Sequence, residues 1–370
     1  MRKYYLWLNH LRQLSISDKT KLLRHFGSPE AVYCELDEET CRALTETGSM
    51  KKTAADEILG SKYDGWFEEY EDRLNKEEIL FLTPVDEGYP RRLLDIYDCP
   101  LVLFYRGKPE ILNDDFTVAI IGARRPTGYG GAVTDAFAGS LAEQGVTVIS
   151  GMAAGIDARA HMAVQKAGGR TAAVLGSGVN YCYPRDNYPI YEKLITDGVV
   201  VSEYGPEVAP IGVNFPARNR IISGLSDAVL VVEARMRSGT LITADSALEQ
   251  GRGIYAVPGR IGDPLSEGTN RLIRNGAVCV TGPQDILSDF KTEKKVKLVR
   301  KKNDSDISPV EKKILEKMSL MPIFIDDLIR ETGESVTAVI SALSAMKAKG
   351  IVTEPMSGFY QIALAYKNDL

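Results

Sequence analysis

Between Thr117 and Phe290, short apolar runs rich in Val, Ile and Ala alternate with segments of helical periodicity. The runs are TVAIIG, VTVISG, TAAVLGSG, VVVSEY, AVLVVEA, GIYAVPG and AVCVTG. Runs that are continuously apolar, rather than alternating with polar residues, are typical of parallel strands covered by helices on both faces. We therefore predict an α/β fold whose core is a parallel sheet with helical crossovers.

The regions on either side of this core have different patterns. Residues 1–72 carry Leu and Ala at helical spacing, which predicts a small helical domain. Residues 79–105 hold two short apolar runs around a turn-rich middle, so we extend the central domain to residues 79–290. Residues 291–306 begin with KTEKKVKLVRKK and predict a basic, solvated linker. Residues 307–366 hold three helical stretches and then two short strand candidates, which favours a winged-helix domain.

The overall composition argues against several classes of protein. The net charge of −5 gives no global attraction to nucleic acid or to an anionic membrane, so a site for a polyanion has to be local. No run of about 18 apolar residues occurs, and the N-terminus lacks the pattern of a signal peptide, so we expect no membrane association. Scattered cysteines indicate reduced thiols and a cytoplasmic location. Without a Cys/His cluster at metal-ligand spacing, we expect no metal and no cofactor.

Arginine is concentrated in the central domain. From Thr117 to Phe290 there are 13 Arg and 2 Lys, whereas the rest of the chain has 10 Arg and 20 Lys. Arg presents a planar fork that matches phosphate oxygens, and ligands of open parallel sheets bind beyond the carboxyl ends of the strands. The stretch 214–226, NFPARNRIISGLS, combines an aromatic ring with two arginines, and Ser238-Gly239-Thr240 follows it. We predict that these segments form a site for phosphates and a base.

Two classes of enzyme compete with this interpretation. A dinucleotide enzyme is disfavoured, because the glycines after the first strand fall at 122, 128 and 130 rather than as GxGxxG, and no acidic ribose ligand follows the second strand. A nucleotide phosphoribohydrolase acting on nucleoside monophosphates is the stronger alternative, since Ser238-Gly239-Thr240 and Glu249 loosely resemble the PGGxGTxxE signature. Glu249 lies nine residues after Thr240 instead of three, so this alternative stays open without its carboxylate in the expected place.

Several long motifs of the chain occur together in one known family. They are DEGYPRRL, AIIGARRPTGYG, SGMAAGIDARAH, AVLGSGVNYCYPRDN, VSEYGP, NFPARNRIISGLS, EARMRSGTLITADSALEQGR and AVPGRIGDPLSEGTNRLIRNGA. With these motifs the chain resembles the DprA/Smf family, the DNA-processing proteins of natural transformation. The resemblance implies a Rossmann-like core, a SAM-like or helix-hairpin-helix-like N-terminal domain and a C-terminal winged-helix domain. It also implies a homodimer without catalysis of its own, which binds and protects incoming single-stranded DNA and helps load the RecA recombinase.

The motifs also carry over a set of DNA-binding residues. Arg124 in the Gly-Ala-Arg turn is expected to grip a phosphate, and Arg185 in Tyr-Pro-Arg stands where the family often has a basic residue. The full expected set is Gly122, Arg124, Arg185, Phe215, Arg218, Asn219, Arg220, Ser238, Gly239 and Thr240. Because Arg218 and Arg220 cannot share one helical face, one is expected to bind the ligand while the other supports the loop.

The chain departs from the family pattern at two places. Ile211-Gly212-Val213 stands where some relatives have a lysine, so one phosphate contact is expected to be lost or supplied from elsewhere. Leu14-Ser15-Ile16-Ser17 stands where a helix-hairpin-helix carries Gly-x-Gly, which argues against DNA binding by the N-terminal domain.

Overall fold

The structure, a computed structural model, describes residues 1–63, 65–290, 307–319 and 322–363. Its first part is helical. The helices described there are α1 (Arg2–His10), α2 (Ile16–Phe26), α3 (Pro29–Glu35), α4 (Glu38–Glu46), α5 (Lys52–Gly60) and α6 (Trp66–Lys76). Polar caps fix where several of them begin. Ser15 and Asp18 form a capping box at α2, and Asp37 accepts the backbone N–H of Thr40 at α4.

The central part is built on a sheet of short strands. They are β1 (Leu80–Leu82), β2 (Leu103–Gly107), β3 (Thr117–Ile121), β4 (Thr147–Ser150), β5 (Thr171–Val174), β6 (Val199–Ser202), β7 (Ala228–Val231), β8 (Gly253–Ala256) and β9 (Val278–Cys279). Their order in space, within the described residues, is β1-β2-β6-β5-β4-β3-β7-β8-β9. The β1–β2 and β2–β6 pairs are antiparallel and the other pairs are parallel. The predicted mostly parallel α/β sheet is therefore confirmed, and β1 and β2 form its antiparallel edge.

Helices cover this sheet. They are α7 (Arg91–Leu94), α8 (Gly128–Glu143), α9 (Ile156–Lys166), α10 (Tyr188–Asp197), α11 (Asn214–Gly224), α12 (Gly239–Glu249), α13 (Glu267–Arg274) and α14 (Pro283–Asp289), with short 3-10 turns at Pro109–Asn113 and Arg185–Asn187. Successive residues of a strand point to opposite faces. Along β3, Val118 and Ile120 belong to the apolar cluster on one face, whereas Ala119 and Ile121 belong to the cluster on the other. Both faces are buried, which is why the strands are continuously apolar in sequence.

The sheet reverses its winding direction at β3. From β3 the chain proceeds to β4, β5 and β6 on one side, and later to β7, β8 and β9 on the other. The loops that leave the carboxyl ends of β3 and β7 therefore diverge and open a crevice, which is where open α/β sheets bind ligands. These two loops are residues 122–127 and 232–238.

The N-terminal helices pack against the central unit. One apolar cluster includes Leu6 and Trp7 of α1 together with Val179 and Leu194 of the central unit. The side-chain amide of Asn9 also donates to the backbone carbonyl of Glu203, the residue after β6, at a distance of 3.0 Å. Burial and hydrogen bonding thus join the helical segment to the same body as the sheet.

The last described segment has its own apolar cluster. Its elements are α15 (Pro309–Lys317), β10 (Ile323–Phe324), α16 (Ile325–Thr332), α17 (Val336–Ala348), β11 (Val352–Met356) and β12 (Phe359–Ile362). The sequence predicted two strands here, and β10 adds a third, which pairs with β12. The predicted linker, residues 291–306, lies outside the described residues, as do residues 364–366 of the predicted last domain. Across the described ranges, no helix is long and apolar enough to cross a bilayer.

Candidate functional site

An aromatic ring lies at the carboxyl edge of the sheet. Phe215, in the first turn of α11, is placed against Gly176, just beyond β5. A Cβ atom on Gly176 would come within 2.8 Å of the ring, so only glycine admits Phe215 in this position. The ring of Tyr183 is stacked on Phe215, with centroids 5.6 Å apart and planes inclined by 26°. Phe215 is partly buried, whereas Tyr183 is 49% exposed.

Two guanidinium groups lie beside this ring. The Cζ atoms of Arg124 and Arg218 are 5.9 Å and 6.0 Å from the centroid of Phe215, which is within the range of cation–π attraction. Arg124 is exposed on the turn after β3, whereas Arg218 is 5% exposed. Nη1 of Arg218 donates to the carbonyl of Gly151, at 2.9 Å, and to that of Val174. Arg218 therefore ties together the ends of β4 and β5, whereas Arg124 presents an exposed guanidinium.

Arg218 belongs to a buried polar cluster below the ring. Burial lowers the pKa of Arg218 to about 10, although Asp157 opposes this, and the nearby Arg124 lowers it further. Burial also raises the pKa of Asp157 to about 6, although Arg218 pulls it down. The Asp157 carboxylate accepts the backbone N–H of Gly151 at 3.2 Å. Since His161 is fully buried, its pKa is lowered to about 3 and its ring stays neutral. Asp157 and Arg218 thus brace the loop after β4, whereas His161 contacts Thr171 of β5, with Nδ1 2.7 Å from its hydroxyl oxygen.

A buried carboxylate fixes the turn that carries Arg124. Oε2 of Glu233, just after β7, accepts the backbone N–H of Thr127 at 2.9 Å, and Oε1 accepts the Thr127 hydroxyl. Glu233 is 3% exposed, and a Cβ atom on Gly130 would overlap its carboxylate. The negative charge therefore lies at the N-terminus of α8, where dinucleotide-binding proteins hold a pyrophosphate. In this chain the carboxylate of Glu233 occupies that position.

Hydrogen bonds connect the turn after β3 with α11 and α12. The Thr240 hydroxyl donates to the carbonyl of Gly122 at 3.2 Å, and the Asn219 side-chain amide donates to the carbonyl of Gly239 at 3.1 Å. The Ser238 hydroxyl donates to the carbonyl of Arg235, within its own loop, at 3.1 Å. The structure thus brings most of the predicted residues to one edge of the sheet.

Arg220 is placed differently. It is 8% exposed, its Nε lies 2.8 Å from Oδ2 of Asp98, and its Nη2 donates to the carboxylate of Glu203. Arg218 is two residues away on α11, or about 200° around the helix, so the two guanidinium groups leave in different directions. A phosphate would have to displace two carboxylates to reach Arg220. Its binding to DNA stays a prediction, and its visible contacts are those of an internal ion pair.

Arg185 lies on the turn that carries Tyr183. The turn is anchored from below, because the side-chain amide of Asn187 donates to the carbonyl of Met152 at 2.8 Å. Arg185 is exposed, two residues after the ring that stacks on Phe215. Sequence reasoning missed Tyr183 and Glu233. Two signals were available in the sequence. Tyr183 is an aromatic residue directly before Pro-Arg in a loop after a strand, and Glu233 is the one acidic residue in the run AVLVVEA.

The residues of the enzymatic alternative lie apart. Thr240 is in the first turn of α12 and Glu249 is the last residue of the same helix. Nine residues of helix separate them by about 14 Å along the axis. In the described ranges there is also no group of three or more His, Cys, Asp or Glu residues placed to hold a metal ion. The arrangement at this edge offers cations, aromatic faces and backbone groups, which suits a ligand that carries phosphates and bases.

Fold and site together define a mostly parallel α/β protein with arginines and aromatic rings at the carboxyl edge of its sheet, the edge at which open α/β sheets bind ligands. The profile of the family described as DNA recombination-mediator protein A matches residues 80–291, more than half of the chain, and the chain belongs to this family. The resemblance to DprA/Smf proteins is confirmed.

Individual relatives agree with this assignment. DNA processing protein DprA of Streptococcus pneumoniae is 43% identical over 219 residues, which cover 59% of this chain and 77% of that protein. Protein Smf of Synechocystis is 32% identical over 354 residues, which cover 86% of this chain and 89% of that protein. The X-ray structure of the S. pneumoniae protein superposes with a TM-score of 0.62 and 34% identity, over 78% of this chain and 98% of that one. DNA processing protein A of Helicobacter pylori, whose structure concerns a single-stranded DNA binding mode, has a TM-score of 0.53 and 29% identity, over 57% and 95%.

Proposed function

We propose that this protein is a single-stranded-DNA-binding recombination mediator. It protects incoming DNA during natural transformation and helps load the RecA recombinase, working as a cytoplasmic homodimer and without catalysis of its own. Membership of the recombination-mediator family supports the general role. The DNA-binding mode named for the H. pylori relative supports the ligand.

The observation that carries this proposal is the exposed guanidinium of Arg124 beside the ring of Phe215. A single strand offers a phosphate and an unpaired base at each step, and a cation beside the stacked rings of Phe215 and Tyr183 matches both. Aromatic faces stack on any base, so we expect binding that is nearly indifferent to sequence. Neutralised phosphates release their counterions, so affinity falls as salt rises.

The proposal is tested with Arg124→Ala and a fluorescent oligonucleotide. The variant should bind more weakly at every salt concentration. The slope of log affinity against log salt should also become shallower by about 0.7, the value for one phosphate contact on a single strand. Arg42→Ala, an exposed arginine on α4, is the matched control and should leave both quantities unchanged. Unchanged affinity and slope for Arg124→Ala would count against the site.

RecA loading needs a separate measurement. RecA is added to the oligonucleotide with and without the protein, and its assembly is followed as salt is varied. Faster assembly with the wild-type protein, lost with Arg124→Ala, supports a mediator. Release of free base from a nucleoside monophosphate, abolished by Glu249→Gln, would instead support the phosphoribohydrolase alternative.

We further propose that the outer segments are a SAM-like or helix-hairpin-helix-like domain and a winged-helix domain. In the latter, α17 would be the recognition helix, followed by the β11–β12 hairpin. Lys347 at the end of α17 pairs with Glu354 at 2.6 Å, and Lys349 pairs with Glu311 at 3.0 Å. Since both cations are engaged by carboxylates, a protein-contact or spacer role fits this domain better than reading of duplex DNA.

A further inference from the structure

The aromatic surface at the carboxyl edge of the sheet has an inner and an outer ring. Phe215 is the inner one: it is partly buried, it lies against Gly176, and two guanidinium groups lie within 6.0 Å of its centroid. Tyr183 is the outer one, with 49% of its surface exposed. Because the two rings are stacked, Tyr183 also covers part of Phe215. The aromatic surface that remains free therefore belongs largely to Tyr183.

The spacing of the rings limits where a base can go. Their centroids are 5.6 Å apart. A base inserted between them would need two stacking intervals, or about 6.8 Å at the 3.4 Å spacing of stacked bases. A base therefore does not fit between the rings unless they separate. A base that stacks on the outer face of Tyr183 does not require the two rings to separate.

We infer that Tyr183 is itself a nucleobase-stacking residue, with Phe215 as the ring that backs it. The inference rests on the proposed function, since it concerns how the same site holds single-stranded DNA. Arg185 follows Tyr183 by two residues and is exposed, so a base on the ring has a cation close by for its phosphate. Anchoring of the turn through Asn187 holds the ring in place before the strand arrives.

The test compares Tyr183→Ala and Tyr183→Phe on two oligonucleotides of equal length, one of thymidines and one with abasic sites throughout. Loss of one base–aromatic stack should weaken binding of the thymidine strand about 5- to 150-fold in the alanine variant. Binding of the abasic strand should change little, because it has no base to stack. The phenylalanine variant keeps the ring and should retain wild-type affinity. Tyr188→Ala, a 52% exposed tyrosine stacked on Tyr191, is the control and should bind both strands normally.

A second readout reports the stack directly. A 2-aminopurine base in the strand should lose fluorescence on binding to the wild-type protein and to Tyr183→Phe, and keep it with Tyr183→Ala. If Tyr183→Ala weakens the thymidine and abasic strands equally, no base contact depends on Tyr183 and the inference is overturned. It is likewise overturned if the alanine variant binds as the wild type does. Arg124→Ala distinguishes failure of this inference from failure of the proposed function. If Arg124→Ala weakens DNA binding and Tyr183→Ala does not, only this inference is removed. If the wild-type protein does not bind the oligonucleotide, the proposed function is removed as well.

Discussion

Replacing Arg220 by methionine should destabilise the protein more than it weakens DNA binding. Arg220 and Glu203 are each 8% exposed, and Asp98 completes the contact to the guanidinium. Burial raises the pKa of the Glu203 carboxyl, although Arg220 opposes this. Without Arg220 the carboxylate is a buried charge next to a second one. Removing one partner of a buried ion pair typically costs about 3–5 kcal/mol, a large share of the usual total of about 5–15 kcal/mol.

The assay is urea unfolding followed by circular dichroism at several pH values. At pH 8, Arg220→Met should lose about 3–5 kcal/mol of unfolding free energy. The loss should shrink toward pH 5, because a carboxyl whose folded-state pKa lies above its unfolded value is destabilising when ionised, and protonation relieves the penalty. Adding Glu203→Gln removes the charge altogether. The loss of unfolding free energy in the double variant should then be smaller than the sum of the two single losses by about 2 kcal/mol, as expected for contacting residues.

Binding of a fluorescent oligonucleotide by the folded variant completes the comparison. Arg124→Ala should show the reverse pattern, with weak binding and nearly unchanged stability, because its side chain is exposed. The reasoning is refuted if Arg220→Met stays within about 1 kcal/mol of the wild type at every pH, the range of an exposed pair. If Arg220→Met also binds the oligonucleotide more weakly, and its slope of log affinity against log salt is shallower by about 0.7, Arg220 is a phosphate ligand.

Two further changes test how the site and the helical segment are held. Glu233→Gln should lower the unfolding free energy by about 1–3 kcal/mol and weaken oligonucleotide binding, because a neutral amide loses the charge-assisted bonds from Thr127 that fix the turn after β3; wild-type stability and affinity would exclude this role. Although burial opposes it, the His10 ring, whose Nδ1 lies 3.5 Å from the carboxylate, and the Arg12 guanidinium, at 2.8 Å, hold the pKa of Glu207 at about 2. Its contribution is therefore complete above about pH 4.5 and lost as pH falls toward 2, so the stability defect of Glu207→Gln at pH 7 should diminish below about pH 4; a defect that is constant with pH would contradict the assigned pKa.

The sheet was the part of the fold that the sequence predicted best. Seven apolar runs became strands β3 to β9. β3 to β7 are buried along their whole length, so few polar residues interrupt their pattern. The antiparallel edge was less distinct. β1 has three residues, and Leu80 is 56% exposed, so its pattern is short and mixed. Residues 79–105 were therefore assigned to the central domain without a position in the sheet.

The site was predictable where it consists of strand-end loops and not where it depends on packing. Gly122 and Arg124 directly follow β3, and Phe215 lies in the first turn of α11. The carboxyl ends of parallel strands lie at one edge of the sheet, so residues at such positions are expected there. The direction of Arg220 is set by Glu203 and Asp98, which lie 17 and 122 residues away in the chain. No local pattern encodes a contact of that kind.

The excess of arginine in the central domain has two physical origins. Some of these side chains make contacts inside the protein. Arg218 joins the ends of two strands, and Arg220 belongs to a buried ion pair. Arg252 donates to the carbonyl of Gly224. Arg suits such places because it stays charged and reaches several acceptors with one planar group. Others, such as Arg124, are exposed on strand-end loops. A count of arginines therefore overstates the positive charge at the surface. Under the proposed function, in a chain of net charge −5, the aromatic rings would supply a correspondingly larger share of the free energy of DNA binding.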